Sequence, residues 1–245
     1  MSEPKLSIVV ITLNEQTNLP RLLGDLKRQT FSDFEVIHVD SQSEDTTVDV
    51  SKRWASTFDR YRIIEMDGRG VSRGRNTGAA AARGERILFL DADTRLSPDF
   101  LQKALAELDA KSTDLGIVLM QGNDLAWRYR AGFAVFNTGI RLTSAVFPTA
   151  IGACLFSTPK THREIGGFDE SLSLCEDCDY ALRAFRLNRR SVRVLREKFR
   201  FDPRRLEQDG LPATGFTYLH ANARRLVLGE LHNQEIRYQF GHYAQ

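Results

Sequence analysis

Two pairs of carboxylates are spaced so that they could do chemistry. Asp91 and Asp93, separated by Ala92, end an apolar run in "RILFLDADT". Two acids one residue apart offer hard oxygen ligands that suit Mg2+ or Mn2+ bridging a diphosphate. Glu176 and Asp177 form the second pair, enclosed by Cys175 and Cys178 in "LSLCEDCDYALRAF". A carboxylate within reach of a hydroxyl can take its proton as the hydroxyl attacks. Each motif also has a plain reading. Asp91 and Asp93 could be a turn acid and a helix cap, since "DTRLSPDF" leads into a helix with Pro98 near its start. An acid opening a helix over Asp177–Leu187 is favoured by the helix dipole without any catalysis. The C-x-x-C around the pair admits a thiol or zinc module. Zinc needs two further ligands, and only Cys154 and scattered histidines such as His220, His232 and His242 remain.

The elements that must position these acids follow from hydrophobic periodicity. "LSIVVITL" (Leu6–Leu13) is continuously apolar, as a strand buried on both faces requires. "FEVIHVD" (Phe34–Asp40), "YRIIEM" (Tyr61–Met66) and "RILFLDAD" (Arg86–Asp93) read as further strands. Between them lie helical patterns: one opened by Asn14 and Glu15 and running through Leu19, Leu22, Leu23 and Leu26, one in "SQSEDTTVDVSKRWA", and a small-residue helix from Ser72 to Ala82. This alternation predicts an α/β fold, an open, mostly parallel twisted sheet with helices on both faces. Ligands of such sheets bind beyond the carboxyl ends of the strands. Thr12, Asn14, Glu15, Asp40, Ser41, Asp91 and Asp93 all fall there. Four strand ends aimed at one edge favour the metal reading of Asp91 and Asp93. "GRGVSRG" has the spacing G-x-G-x-x-x-G, follows the third strand and makes only a weak dinucleotide fingerprint.

The 245 residues suffice for one large domain, and 42 % hydrophobic with 27 % charged residues is ordinary for a globular chain. Net charge is +2, but Arg183 to Arg205 holds ten Lys/Arg against two acids. Such a block is a solvated face or a partner for phosphates or an anionic membrane. It lacks the interleaved aromatic platforms of a nucleic-acid site. Three cysteines do not make a secreted disulfide framework, and the N-terminus has no signal-peptide pattern. No apolar run is long enough to span a bilayer. A cytoplasmic protein, soluble or peripheral on the membrane face, is expected. Within "GNDLAWRYRAGFAVFNTGIRLTSAVFP", Trp127, Phe133, Phe136 and Ile140 fall at helical spacings with Arg128, Arg130 and Arg141 among them. That pattern fits a helix packed on the domain or one resting on a membrane surface.

The chain resembles family 2 glycosyltransferases with the GT-A fold. The resemblance is carried, in order, by "SIVVITLNEQTNL", "VIHVDSQSEDTT", "GVSRGRNTGAAAARGERILFLDADT", "IGGFDESL" and "CEDCDYALRAFR", from residue 6 to residue 190. It implies a single GT-A-like domain over residues 1–205, with a nucleotide-sugar-binding half (1–95) and an acceptor half (96–205), followed by a C-terminal helical extension (206–245). By the resemblance, Thr12, Asn14 and Glu15 line the nucleotide pocket and Asp40 holds the base or ribose. Arg75 reaches the base or the diphosphate, and Asn76 supports its loop. Asp91 and Ala92 lie at the donor, with Asp91 touching ribose or metal and Asp93 the direct ligand of a divalent cation, Mn2+ or Mg2+. Gly167, Phe168, Asp169 and Glu176 belong to the acceptor side, although Phe168 could equally plug the core. Asp177 is the base of an inverting displacement. The implied donor is a UDP-, GDP- or TDP-linked sugar and the acceptor a glycan or lipid-linked molecule; the basic block and the Trp127–Ile140 pattern leave peripheral contact with an anionic membrane open and point away from nucleic acid. The second strand departs from the pattern: two acids followed by Gly-Ser are usual, and here Asp40-Ser41-Gln42-Ser43 stands, with Asp45 beyond. "QEIRY" (Gln234–Tyr238) resembles the Q-x-x-R-W signature of processive synthases with tyrosine in place of tryptophan, which favours single addition. A nucleotidyltransferase would carry a glycine-rich loop where "TLNEQTNL" stands, and a polyprenyl-phosphate sugar synthase would lack "GGFDE" and the acid pair.

Overall fold

The computed structural model describes residues 3–122, 125–172 and 174–201, and Arg224 alone beyond them. The expected C-terminal extension, the Gln234–Tyr238 motif and His220, His232 and His242 lie outside the described residues. Among the described residues there are eight strands: β1 (Leu6–Thr12), β2 (Phe34–Asp40), β3 (Tyr61–Glu65), β4 (Arg86–Asp91), β5 (Thr94–Arg95), β6 (Leu115–Gln121), β7 (Cys154–Ser157) and β8 (Val192–Phe201). The helices are α1 (Leu19–Lys27), α2 (Thr47–Trp54), α3 (Val71–Ala81), α4 (Phe100–Ala110), α5 (Trp127–Thr143), α6 (Pro159–Glu164) and α7 (Glu176–Leu187).

One sheet runs in the order β3-β2-β1-β4-β7-β6-β8-β5. Its first four strands are parallel, as the alternation predicts. β7 then enters antiparallel to both β4 and β6, while β6 and β8 pair in parallel and β5 returns antiparallel to β8. The sheet as a whole is therefore mixed. Because β7 reverses direction between β4 and β6, the carboxyl ends of β6 and β8 come to the same edge as those of β1, β2 and β4.

Apolar side chains alternate across β1. Leu6, Ile8 and Val10 join Leu19, Leu22 and Leu23 of α1 and Phe100, Leu101 and Leu105 of α4 on one face. Val9 and Ile11 join Ile37, Val39, Phe89, Leu155 and Tyr180 on the other. Both faces are covered, which is why the strand reads as unbroken hydrophobic sequence. α1 begins at Leu19 rather than at Asn14, because Asn14 takes a left-handed conformation (φ 58°) and the chain turns before Pro20 can open the helix. α3 lies unusually close on the sheet. A Cβ at Gly78 would sit 2.2 Å from Val9 Cγ1, so only glycine permits this approach. The small-residue character of α3 thus sets the depth at which its next-door side chains, Arg75 and Asn76, enter the domain.

Candidate active site

At the carboxyl edge, Thr12 of β1 and Asp40 of β2 are register partners, and Asp91 of β4 partners Ile11. The Thr12 hydroxyl donates to Asp40 Oδ1 at 2.8 Å and lies 2.8 Å from His38 Nε2. His38 is fully buried, and burial, opposed by nearby Asp40, pushes its pKa down to about 4. A neutral imidazole with the proton on Nε2 completes a relay in which His38 donates to Thr12 and Thr12 to Asp40. Asp40 also accepts the amide and hydroxyl of Ser43 at 2.8 and 2.6 Å. Its carboxylate, 2 % exposed, therefore shapes the turn that follows β2. Asn14 bonds the same turn, accepting the Glu44 amide and donating its own to Ser43 Oγ, each at 2.8 Å. Glu15 accepts from the Asn18 side chain at 2.6 Å and donates its amide to Thr47 Oγ1. Asp45, the acid displaced from the usual position, takes the Thr47 amide at 2.9 Å and so serves the start of α2.

The Asp91-Ala92-Asp93 turn is fastened from below. The Asp91 amide and the Thr94 hydroxyl both donate to the Ala153 carbonyl, at 3.2 and 2.8 Å. Asp91 is 31 % exposed, Asp93 is half-buried, and Ala92 is buried beneath them. Among the described residues there is no group of three or more His, Cys, Asp or Glu able to enclose a metal. Two carboxylates on a strand end fit a Mg2+ or Mn2+ ion that takes its other ligands from a diphosphate and water, the usual division for these hard cations. They do not fit a closed protein cage such as structural zinc.

Arg75 is the centre of the site. Its guanidinium is 2 % exposed and donates from Nη1 to Glu176 Oε1 at 2.7 Å and from Nη2 to Asp91 Oδ1 at 3.1 Å. Burial works against its charge, but Asp91, Glu176 and Asp177 more than offset this and raise its pKa. The same cation lies 5.2 Å from the centroid of the Phe168 ring. The structure thus turns Arg75 inward, onto two protein carboxylates, where the sequence pointed it at base or diphosphate. It is held there by shape. A Cβ at Gly152, on the loop before β7, would come within 2.6 Å of Nη2 and 2.9 Å of Cζ.

Asp177 lies on the other side of Gly152. Its Oδ2 accepts the Gly152 amide at 2.6 Å and its Oδ1 the Cys178 amide at 2.7 Å. The protein around it, then the neighbouring Glu176 charge, push its pKa up to about 6, against the opposing pull of Arg75 and the two amides. The side chain remains partly open to solvent. It is thus a carboxylate in fixed orientation, mostly ionised at neutral pH and close enough to neutrality to accept a proton usefully. α7 starts at Glu176, with Cys175 as its left-handed cap residue (φ 62°). Cys154, Cys175 and Cys178 are all buried and unbridged, and Cys178 Sγ faces the Ala150 carbonyl at 3.5 Å. Cys175 and Cys178 pack at the start of α7 and Cys154 within β7, and among the described residues no metal-binding set forms around them.

Asn76 fastens the remaining loop. Its Oδ1 accepts the Phe168 amide at 2.8 Å, and its Nδ2 donates to the Phe168 carbonyl and Glu170, both at 2.9 Å. Gly166 and Gly167 both adopt positive φ (78° and 75°), and a Cβ on Gly167 would strike Asn76 Oδ1 at 2.7 Å. Phe168 is 2 % exposed and stacks on Tyr180 (centroids 4.1 Å, 18°), with Phe89 at its edge. Of its two sequence readings, the structure shows the core plug, which carries Arg75 on its face. Asp169 closes its own turn by accepting the Ser171 amide and hydroxyl. His38, Ser43, Gly152 and Ala153 were not singled out in the sequence. Gly152 was visible only as a glycine before a strand, and its role appears when Arg75 is placed beside it.

A parallel βα half with acids at its carboxyl edge, extended by a reversed strand and a second acid pair, is the GT-A-type architecture of sugar-transferring enzymes. The chain belongs to the glycosyl transferase family 2, whose model matches residues 7–192. It is 36 % identical over 132 residues to a PGL/p-HBAD biosynthesis glycosyltransferase of Mycobacterium bovis, a match covering 52 % of each protein. It is 26 % identical over 198 residues to the poly(ribitol-phosphate) beta-N-acetylglucosaminyltransferase TarS of Staphylococcus aureus, covering 79 % of this chain and 34 % of TarS. The solved TarS fragment 1–349 in complex with UDP-GlcNAc superposes with a TM-score of 0.65 at 20 % identity, over 80 % of this chain and 58 % of that one. The mannosyltransferase PcManGT of Pyrobaculum calidifontis, solved with GDP-Man and Mn2+, gives 0.68 at 19 % identity, over 94 % and 72 %. The chain spans about half or less of the length of these curated relatives.

Proposed function

We propose that the chain transfers one sugar from a nucleoside-diphosphate sugar to an acceptor hydroxyl by a single inverting displacement. The observation that carries this reading is the bridge of Arg75 between Asp91, on the donor side, and Glu176, next to the base. One buried cation holds the two acid motifs at a common centre.

In this account Asp91 and Asp93 would hold a divalent cation, which would supply positive charge to offset that gathering on the leaving diphosphate. Asp177 accepts the acceptor proton. The hydroxyl oxygen forms its bond to the anomeric carbon as the bond from that carbon to the diphosphate breaks, and the proton passes to Asp177. The Gly152 and Cys178 amides keep each Asp177 oxygen aimed, and no covalent intermediate with the protein is needed. The turn built by Thr12, Asn14, Asp40 and Ser43 forms the wall of the nucleotide pocket, with Glu15 at its rim. The nucleotide sugars and Mn2+ in the solved complexes of TarS and PcManGT support the donor class and the cation. The names of TarS and the mycobacterial relative support an acceptor among cell-envelope glycans or glycolipids. Asp177→Asn tests the assignment, since it should bind a nucleotide sugar as the native protein does and fail to transfer it. Equal transfer would remove Asp177 from the role.

A further inference from the structure

α5 carries two apolar faces, and among the described residues only one has a partner. Tyr129, Phe133 and Ile140 are buried against the domain, and Asn137 pins the helix to β6 by bonding both the amide and the carbonyl of Met120. Of the residues that suggested an amphipathic helix, Trp127 belongs elsewhere: it is 79 % exposed. Trp127, Ala131, Val135, Thr138 and Leu142 follow one another at intervals of three or four, so they form a single stripe along a helix about 26 Å long. Val135 is 74 % and Leu142 77 % exposed, and Val146, at 75 %, extends the stripe beyond the helix end. Soluble proteins seldom leave so many large apolar side chains together in water.

The charge around this stripe has one sign. Arg128 borders it on one side, Arg130 and Arg141 on the other, and all three are exposed. From residue 125 to residue 163 the sequence contains no Asp or Glu. We propose that the outer face of α5 is a docking surface for an anionic lipid bilayer. An apolar ridge with arginines on both flanks and a tryptophan at one end is the pattern of a helix lying in the interface of a membrane. Its apolar side chains enter the acyl boundary and its cations stay with the head groups.

The position of α5 gives the docking a purpose. The helix follows β6, whose carboxyl end lies on the same edge as Asp40 and Asp91. A cleft of about 500 Å3 lined by Trp127, Arg130, Phe133, Ala134 and Lys198 lies at that edge, with no acid among the described residues of its wall. A bilayer on the stripe would therefore sit beside the acceptor half. This last step rests on the proposed function; the docking itself does not.

The test is co-sedimentation with vesicles of phosphatidylcholine, with and without phosphatidylglycerol. The native protein should sediment with the phosphatidylglycerol vesicles, less so at high salt, and remain in solution with phosphatidylcholine alone. The double substitution Val135→Glu, Leu142→Glu should lower binding ~10-fold or more, with thermal unfolding and nucleotide-sugar binding unchanged. Arg128→Glu with Arg141→Glu should do the same. The proposal is overturned if the native protein ignores anionic vesicles, or if the Glu variant binds them equally well. It is also overturned if sedimentation velocity shows that the stripe joins two copies of the chain and no vesicles are bound. Vesicle binding without nucleotide-sugar binding would leave the docking surface standing and remove the proposed function.

Discussion

The carboxylate of Asp177 accepts the Gly152 amide at 2.6 Å, and the same glycine lies against the guanidinium of Arg75 with no room for a side chain. The proposed base and the cation that joins the acid motifs are therefore aligned by one residue of the loop before β7. Any shift of that residue must move both.

Gly152→Ala should accordingly disturb the chemistry more than the fold. The added methyl group must displace Arg75, at a cost of about 1–3 kcal/mol if the loop gives way. The expected result is a kcat lower by at least ~10-fold with a Tm lowered by a few degrees, measured by transfer assay and calorimetry. An unchanged kcat would show that the alignment of Asp177 does not depend on this contact.

Arg75→Met removes a cation buried between Asp91 and Glu176 and leaves both acids facing each other. Breaking such a pair costs about 3–5 kcal/mol, so chemical denaturation should show the largest loss of stability of any substitution at the site. Glu176→Gln keeps a neutral hydrogen-bond acceptor for Nη1 and should cost clearly less. A smaller loss for Arg75→Met than for Glu176→Gln would contradict the bridge.

The pKa of Asp177 sets a pH limit. As the proposed base, Asp177 works only when ionised, so kcat should rise with pH, reach half its maximum near pH 6, and level off above it. Arg75 holds that pKa down, so the half-maximum should move upward in an Arg75 variant that still folds. A flat profile between pH 5 and pH 8 would speak against a carboxylate base.

Acid should also act on stability, with two opposing signs. His38 and His162 both have pKa values lowered to about 4, chiefly by burial, with Arg183 and Arg163 contributing at His162. Between about pH 6.5 and pH 4 the unfolded chain binds protons at these sites and the folded one does not, so stability falls as pH falls. Asp177, with its raised pKa, binds a proton in the folded state first and offsets part of this loss between about pH 6 and pH 3.8. Asp177→Asn should therefore steepen the fall of Tm with acid, and His38→Gln should flatten it. The slopes of Tm against pH decide the matter.

Much of this arrangement was legible before folding was considered. The unbroken apolar run of β1 requires two covered faces, and the acids at strand ends required a common edge, so Asp40 and Asp91 could be placed in the sequence alone. Contacts made only in three dimensions were not legible. The reversed β7 between β4 and β6 depends on pairing between strands far apart in sequence. The inward turn of Arg75 depends on the close approach of α3, permitted by Gly78, and on the bare Gly152 opposite. Phe168 could be a core plug or an acceptor contact until Tyr180 was seen stacked upon it. On α5, Phe133 and Ile140 pack on the domain as their spacing indicates, and only Trp127 falls on the other face, because spacing alone does not say which of two apolar faces is covered.

The central claim concerns donor and base together, and one calorimetric experiment addresses both. The native protein and Asp177→Asn are each titrated with UDP-, GDP- and TDP-sugars in Mn2+ or Mg2+, then with the cation removed by EDTA. The account predicts that one donor class binds both proteins with similar affinity, that binding weakens sharply without the cation, and that, with water as the acceptor, only the native protein goes on to hydrolyse the donor and release the nucleoside diphosphate. Failure of every nucleotide sugar to bind in the presence of the cation would contradict it.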